Sequence, residues 1–170
     1  MIGRAKLSTL MATVVCLGAT GARAADGAWT FTTEDRDHPE LRYVRDGKVV
    51  FYVGCGHAFG LHAVYPGAPK KPDANAAITV ATPKDRMEFK GQIDAPHDDD
   101  PPGATHFLQW DLGYRRQDPA LYEAKWHKLE TRFLDLLASG QPLTISAETK
   151  SYTLPAVDAP DWRKQFTDRC

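Results

Sequence analysis

Serine and cysteine are scarce in this chain of 170 residues, and several familiar signatures are missing. Its three cysteines, at positions 16, 55 and 170, include no Cys-x-x-Cys pair, which excludes the usual dithiol redox motif. Past residue 24 the serines are Ser139, Ser146 and Ser151, and none stands in a G-x-S-x-G elbow, so that kind of nucleophilic catalysis has no support. No apolar run approaches the ~18 residues that a membrane-spanning helix needs. Nor is there a basic stripe with interleaved aromatics, which argues against nucleic acid as a partner. Internal repeats and long linkers are also lacking.

What is present begins with an export signal. Arg4 and Lys6 give the amino terminus a positive start, and Leu7 to Leu17 is apolar apart from Ser8, Thr9 and Thr13. Ala22-Arg23-Ala24 then satisfies the small-x-small rule for signal peptidase. Residues 1–24 are therefore expected to be a secretory signal peptide and residues 25–170 a single periplasmic or secreted domain, with no transmembrane anchor after cleavage. Cys16 raises the alternative of a lipidated amino terminus, but Val15 precedes it where a lipobox wants a small residue. Loss of Arg4, Lys6 and Arg23 moves the formal charge from −1 to −4, which is ordinary for a soluble domain.

Cleavage leaves Cys55 and Cys170 as an even pair in an oxidising compartment, and such pairs are usually bonded. A bond between them would close a loop of roughly 100 residues, worth about 4–5 kcal/mol in the chain-entropy picture. It would also pin a terminus that otherwise frays. A free thiol or an intermolecular bond remains open.

The first two thirds of the chain read as β-structure. Trp29 to Thr33 alternates large and small side chains. Leu41 to Arg45 and Lys48 to Cys55 flank Asp46-Gly47, the type I′ hairpin signal. Further strands are expected at 57–65, 77–81, 87–93, 105–112, 143–147 and 152–154. One long helix is signalled by Asp118 as N-cap and Pro119 at the first helical position. Tyr122, Trp126, Leu129, Phe133 and Leu136 form its apolar stripe, and Gly140 supplies the stop. A short closing helix is expected from about Asp158, carrying Trp162 and Phe166 inward. The expected fold is mainly β, sandwich-like, with one long packed helix and a short C-terminal helix tethered by the disulfide.

Trp29, the strand Val49-Val50-Phe51-Tyr52-Val53-Gly54-Cys55, the helix end Phe133-Leu134-Asp135-Leu136-Leu137, the strand Leu143-Thr144-Ile145-Ser146, and Phe166 with Cys170 form a sparse pattern. It resembles small bacterial periplasmic modules, including accessory proteins of the type VI secretion system and the invasion-associated locus B proteins. The loop Pro96 to Pro102 and the histidines after Cys55 depart from that pattern. The resemblance implies a non-catalytic envelope role, supports the disulfide and transfers no active site.

Chemistry-bearing residues gather in two segments. Gly54 to His62 holds His57 and His62, five positions apart, which a regular strand places on opposite faces unless Gly60 marks a bulge. The glycines there do not have the spacing of a dinucleotide loop. His97-Asp98-Asp99-Asp100 lies between Pro96 and Pro101-Pro102 and concentrates oxygen donors, but it lacks the glycine and distal glutamate of an EF-hand. His57, His62, His97, Asp98, Asp99 and Asp100 are thus the candidate metal ligands, with no organic cofactor implied. Three functional readings follow. The first is a non-enzymatic binding or accessory module whose partner is another envelope or extracellular protein. The second is a metal-dependent protein or hydrolase using these histidines. The third is an enzyme inhibitor inserting its proline-rich loops, 66–72 or 94–103, into a cleft.

Overall fold

At Asp46 and Gly47 the backbone adopts φ of 52° and 72°, the paired left-handed conformation that a type I′ turn demands. In this computed structural model, which describes residues 27–33, 39–55, 59–109 and 119–169, that turn joins β2 (Glu40–Arg45) to β3 (Lys48–Cys55). Between Tyr43 and Val44 the register slips, so that Val50 has no residue opposite it. The bulge turns both Val49 and Val50 away from solvent, where strict alternation would bury only one.

The remaining strands are β1 (Gly27–Thr32), β4 (Phe59–Val64), β5 (Asn75–Ala81), β6 (Arg86–Asp94), β7 (His106–Gln109), β8 (Leu143–Ala147) and β9 (Lys150–Leu154). All pair antiparallel in one sheet ordered β1-β2-β3-β4-β7-β6-β5-β8-β9. The sheet curls. Trp29, on one edge strand, donates its indole N–H to the carbonyl of Pro155, just past the opposite edge, at 3.1 Å. The mainly-β expectation therefore holds, realised as a single continuous sheet curled about its core. Gly91 lets β6 lie close against β7: a Cβ there would stand 2.1 Å from the carbonyl oxygen of Leu108.

Two helices complete the described structure, α1 (Pro119–Leu137) and α2 (Trp162–Arg169). Phe133 of α1 is fully buried, edge-on to Phe59 at 5.7 Å and to Phe89 at 4.7 Å. Of the predicted stripe, Phe133 and Leu136 are buried, whereas Trp126 and Leu129 are half-buried. Gly140, with φ of 67°, ends the helix region as expected. The closing helix begins later than predicted, at Trp162 rather than near Asp158. Pro160 and the left-handed Asp161 (φ 51°) explain the delay, because neither favours continuation of a helix from Asp158. Trp162 and Phe166 point inward, the latter against Phe31 of β1 at 6.4 Å. Arg163 pairs with Asp135, and Arg132 reaches Asp85 at 2.9 Å, so each helix is also tied at its rim.

The signal segment, His57, the expected N-cap Asp118 and Cys170 lie outside the described residues, and with Cys170 lies the expected tether. Among the described residues no helix is long and apolar enough to cross a membrane.

Candidate metal centre

Alternation along four neighbouring strands sorts the side chains. Phe51 and Val53 of β3, Leu61 and Ala63 of β4, Phe107 of β7, and Phe89 and Ile93 of β6 are buried in the core. The intervening positions face the other way, and they hold Tyr52, His62, His106 and Asp94. Pairing brings these together: Tyr52 lies opposite His62, and Asp94 opposite His106, while His62 and His106 are diagonal neighbours across β4 and β7.

An outer face of this kind normally meets water. Here residues 95–105, which join β6 to β7, fold back over it. The loop is anchored two strands away, where Val49 donates its N–H to the Asp99 carbonyl at 3.0 Å. Lys48 Nζ adds a bond to the Asp98 carbonyl at 2.7 Å. Within the loop, His97 N–H donates to Asp100 Oδ2 at 2.8 Å, and Asp100 N–H returns a bond to the His97 carbonyl at 3.1 Å. This reciprocal clasp turns the Asp100 carboxylate inward, and its Oδ1 stands 3.4 Å from His106 Nδ1.

The result is a buried polar cluster on the outside of a β-sheet. His62, His106 and Asp100 retain only 2%, 1% and 7% of their exposure. Tyr52 stacks on one face of His62 at 4.8 Å and His106 on the other at 4.7 Å. Neither ring nitrogen of His62, nor either of His106, has a hydrogen-bond partner among the described residues. The 3.4 Å approach of Asp100 to His106 is an ion-pair distance without hydrogen-bond alignment. Each unmet buried polar atom costs about 1–3 kcal/mol, so four in one place make this a site that a bound ion or ordered water would satisfy.

Burial lowers the His62 pKa to about 4, with neighbouring His106 pushing in the same direction and Asp100 and Asp94 opposing. His106 is lowered as well, chiefly by burial. Both rings are neutral near pH 7, the form in which imidazole binds metals. His97 behaves oppositely, its pKa raised by the hydrogen bond to Asp94. Burial lifts Tyr52 to about 12.

His62, His106 and Asp100 each offer a donor atom, and these atoms lie within 4.8 Å of one another. A tetrahedral zinc ion with ligands at about 2.0–2.2 Å spaces its donors roughly 3.3–3.5 Å apart. The two imidazoles lie nearly parallel, 17° between planes, so their in-plane lone pairs do not yet converge. His62, His106 and Asp100 are thus the donor set that a metal would use here, with the rings parallel and the carboxylate beside His106.

Of the predicted ligands, His62 and Asp100 are brought together and His97 stands at their rim. Asp98 and Asp99 are exposed, and they contribute their main-chain carbonyls to Lys48 and Val49. His106 and Asp94 escaped the sequence reading. Their alternation with Phe107 and Ile93 puts them on an outward face, but only the strand order β4-β7-β6 sets them beside His62. Two surface hollows, one along α2 lined by Trp162, Arg163 and Asp168 and one beside Lys70, Asn75 and Lys90, contain none of these groups.

Compared with known proteins, the chain matches no family model, no curated protein and no solved structure. The likeness to envelope accessory modules thus rests on the residues that suggested it.

Proposed function

We propose that this protein is an exported, non-enzymatic module that binds one divalent transition-metal ion through His62, His106 and Asp100. The observation that carries this reading is the pair of stacked, buried imidazoles whose four ring nitrogens make no hydrogen bond among the described residues and which face a buried carboxylate. Two nitrogens and one oxygen suit zinc, copper or nickel, whereas calcium and magnesium prefer sets of six or more oxygens. The shielding favours storage, sensing or a structural role over hydrolysis, because a catalytic metal keeps an open position that substrate can reach. Export is supported by the charged start, apolar run and Ala22-Arg23-Ala24 at the amino terminus. The covering loop, with Pro96, Asp98 and Asp99 exposed, is the surface through which an envelope partner would sense the bound ion.

The test is calorimetric titration of chelator-treated protein with Zn²⁺, checked by native mass spectrometry. One equivalent is expected for the wild type, and loss of at least a hundredfold in affinity for His106→Ala. Calcium is expected to leave the protein unloaded. A wild type that takes up no transition metal, or a His106→Ala variant that binds as well as the wild type, would overturn the reading.

A further inference from the structure

A buried ion needs a route in. Resting on the metal reading above, we infer that Asp94 and His97 are the relay by which the ion enters and leaves the site, and that they are not its resting ligands. The geometry is a graded path. The side chain of His97 is 61% exposed, that of Asp94 21%, and that of His62 2%. Asp94 Oδ2 stands 3.0 Å from His97 Nε2 and 3.8 Å from His62 Nε2. The His97 ring sits edge-on to His62 with centroids 6.2 Å apart. Nitrogen, oxygen and nitrogen donors therefore follow one another from solvent to the buried pair. The spacing is short enough for an ion to gain the next ligand before it releases the last.

The other sides of His62 are occupied among the described residues. Tyr52 and His106 cover the two faces of His62, the sheet lies beneath, and the loop above is fastened to β3 through Val49 and Lys48. His97 is also clasped through its backbone to Asp100. The ion's charge and oxidation state do not change along the path, so no co-reactant is needed.

A relay sets rates and leaves the equilibrium alone. Stopped-flow uptake of Zn²⁺ by the full chain, and its release to a chromophoric chelator, would be compared for wild type, His97→Ala and Asp94→Asn. His97→Ala is expected to slow uptake and release together by about tenfold, with stoichiometry unchanged and affinity within about threefold. His97→Asp, which restores an exposed donor, is expected to recover most of the rate. Circular dichroism would establish that each variant is folded. Unchanged or faster exchange in His97→Ala would overturn the relay, and so would loss of equilibrium binding, which would make His97 a ligand. A wild type that binds no metal would instead defeat the underlying site, which separates the two failures.

Discussion

His62 shows how a single side chain acquires unusual properties from its surroundings. In solution its imidazole would take a proton near pH 6.5. In the folded protein it lies between Tyr52 and His106, with Asp94 of β6, Asp100 and His97 of the covering loop around it. Burial wins over the two carboxylates, and the pKa falls to about 4. A histidine whose folded pKa is depressed makes the unfolded chain the better proton acceptor between those two values. Metal-free protein is therefore expected to lose stability as the pH falls from about 6.5 towards 4, and to gain none from this group above that window. His106, lowered too, acts in the same sense, while His97, raised and exposed, opposes weakly. Thermal melts in chelator from pH 7 to 4.5 would check this. His62→Phe keeps a flat ring in the stack without a titrating group, and its melting temperature should fall less steeply. Equal slopes would mean that the fall comes from other groups.

Among the elements, α1 has an uneven grip on the sheet. Phe133 fills the space between Phe59 and Phe89, and Leu134, Leu136 and Leu137 are buried beside it. Trp126 and Leu129, nearer the start of the helix, are only half-buried. Phe133→Ala is expected to cost about 3–5 kcal/mol in urea denaturation, the usual cost of emptying an aromatic core position. Leu129→Ala should cost less than half as much. If the two variants lost equal stability, the helix would be anchored along its whole length. The hydrophobic period identified this helix correctly, since a five-residue stripe at three- and four-residue steps follows the helical repeat and not the two-residue repeat of a strand. It could not grade the burial, because depth depends on how far the curled sheet extends beneath each turn.

For the whole molecule, the decisive feature is that one sheet serves two purposes. Its inner face holds the aromatic and aliphatic core, and part of its outer face is sealed by the loop between β6 and β7. The proposed export and the expected Cys55–Cys170 bond are tested at this scale as well. Protein recovered from a bacterial periplasm without reductant is expected to begin at Ala25 and to weigh about two hydrogens less than the reduced chain. Reduction should then lower its stability by up to about 4–5 kcal/mol, the loop-closure contribution of a Cys55–Cys170 bond. A mass that includes residues 1–24 would refute export by this signal. Two free thiols would refute the bond.

The sequence by itself determined the elements. The Asp46-Gly47 turn, the alternation in 87–93 and 143–147, the helical stripe ending at Leu136 and the stop at Gly140 are local patterns whose physics is settled within a few residues. It also marked His62, His97 and Asp100 as residues able to hold a metal. Tertiary structure decided which of them meet. His106 and Asp94 carry no local mark, and Asp98 and Asp99 look as promising as Asp100 until the loop folds and turns only the last one inward. The reason is physical: a strand's own sequence fixes which face a side chain takes, while the order of strands and the path of a covering loop fix its neighbours, and those depend on contacts far apart in the chain.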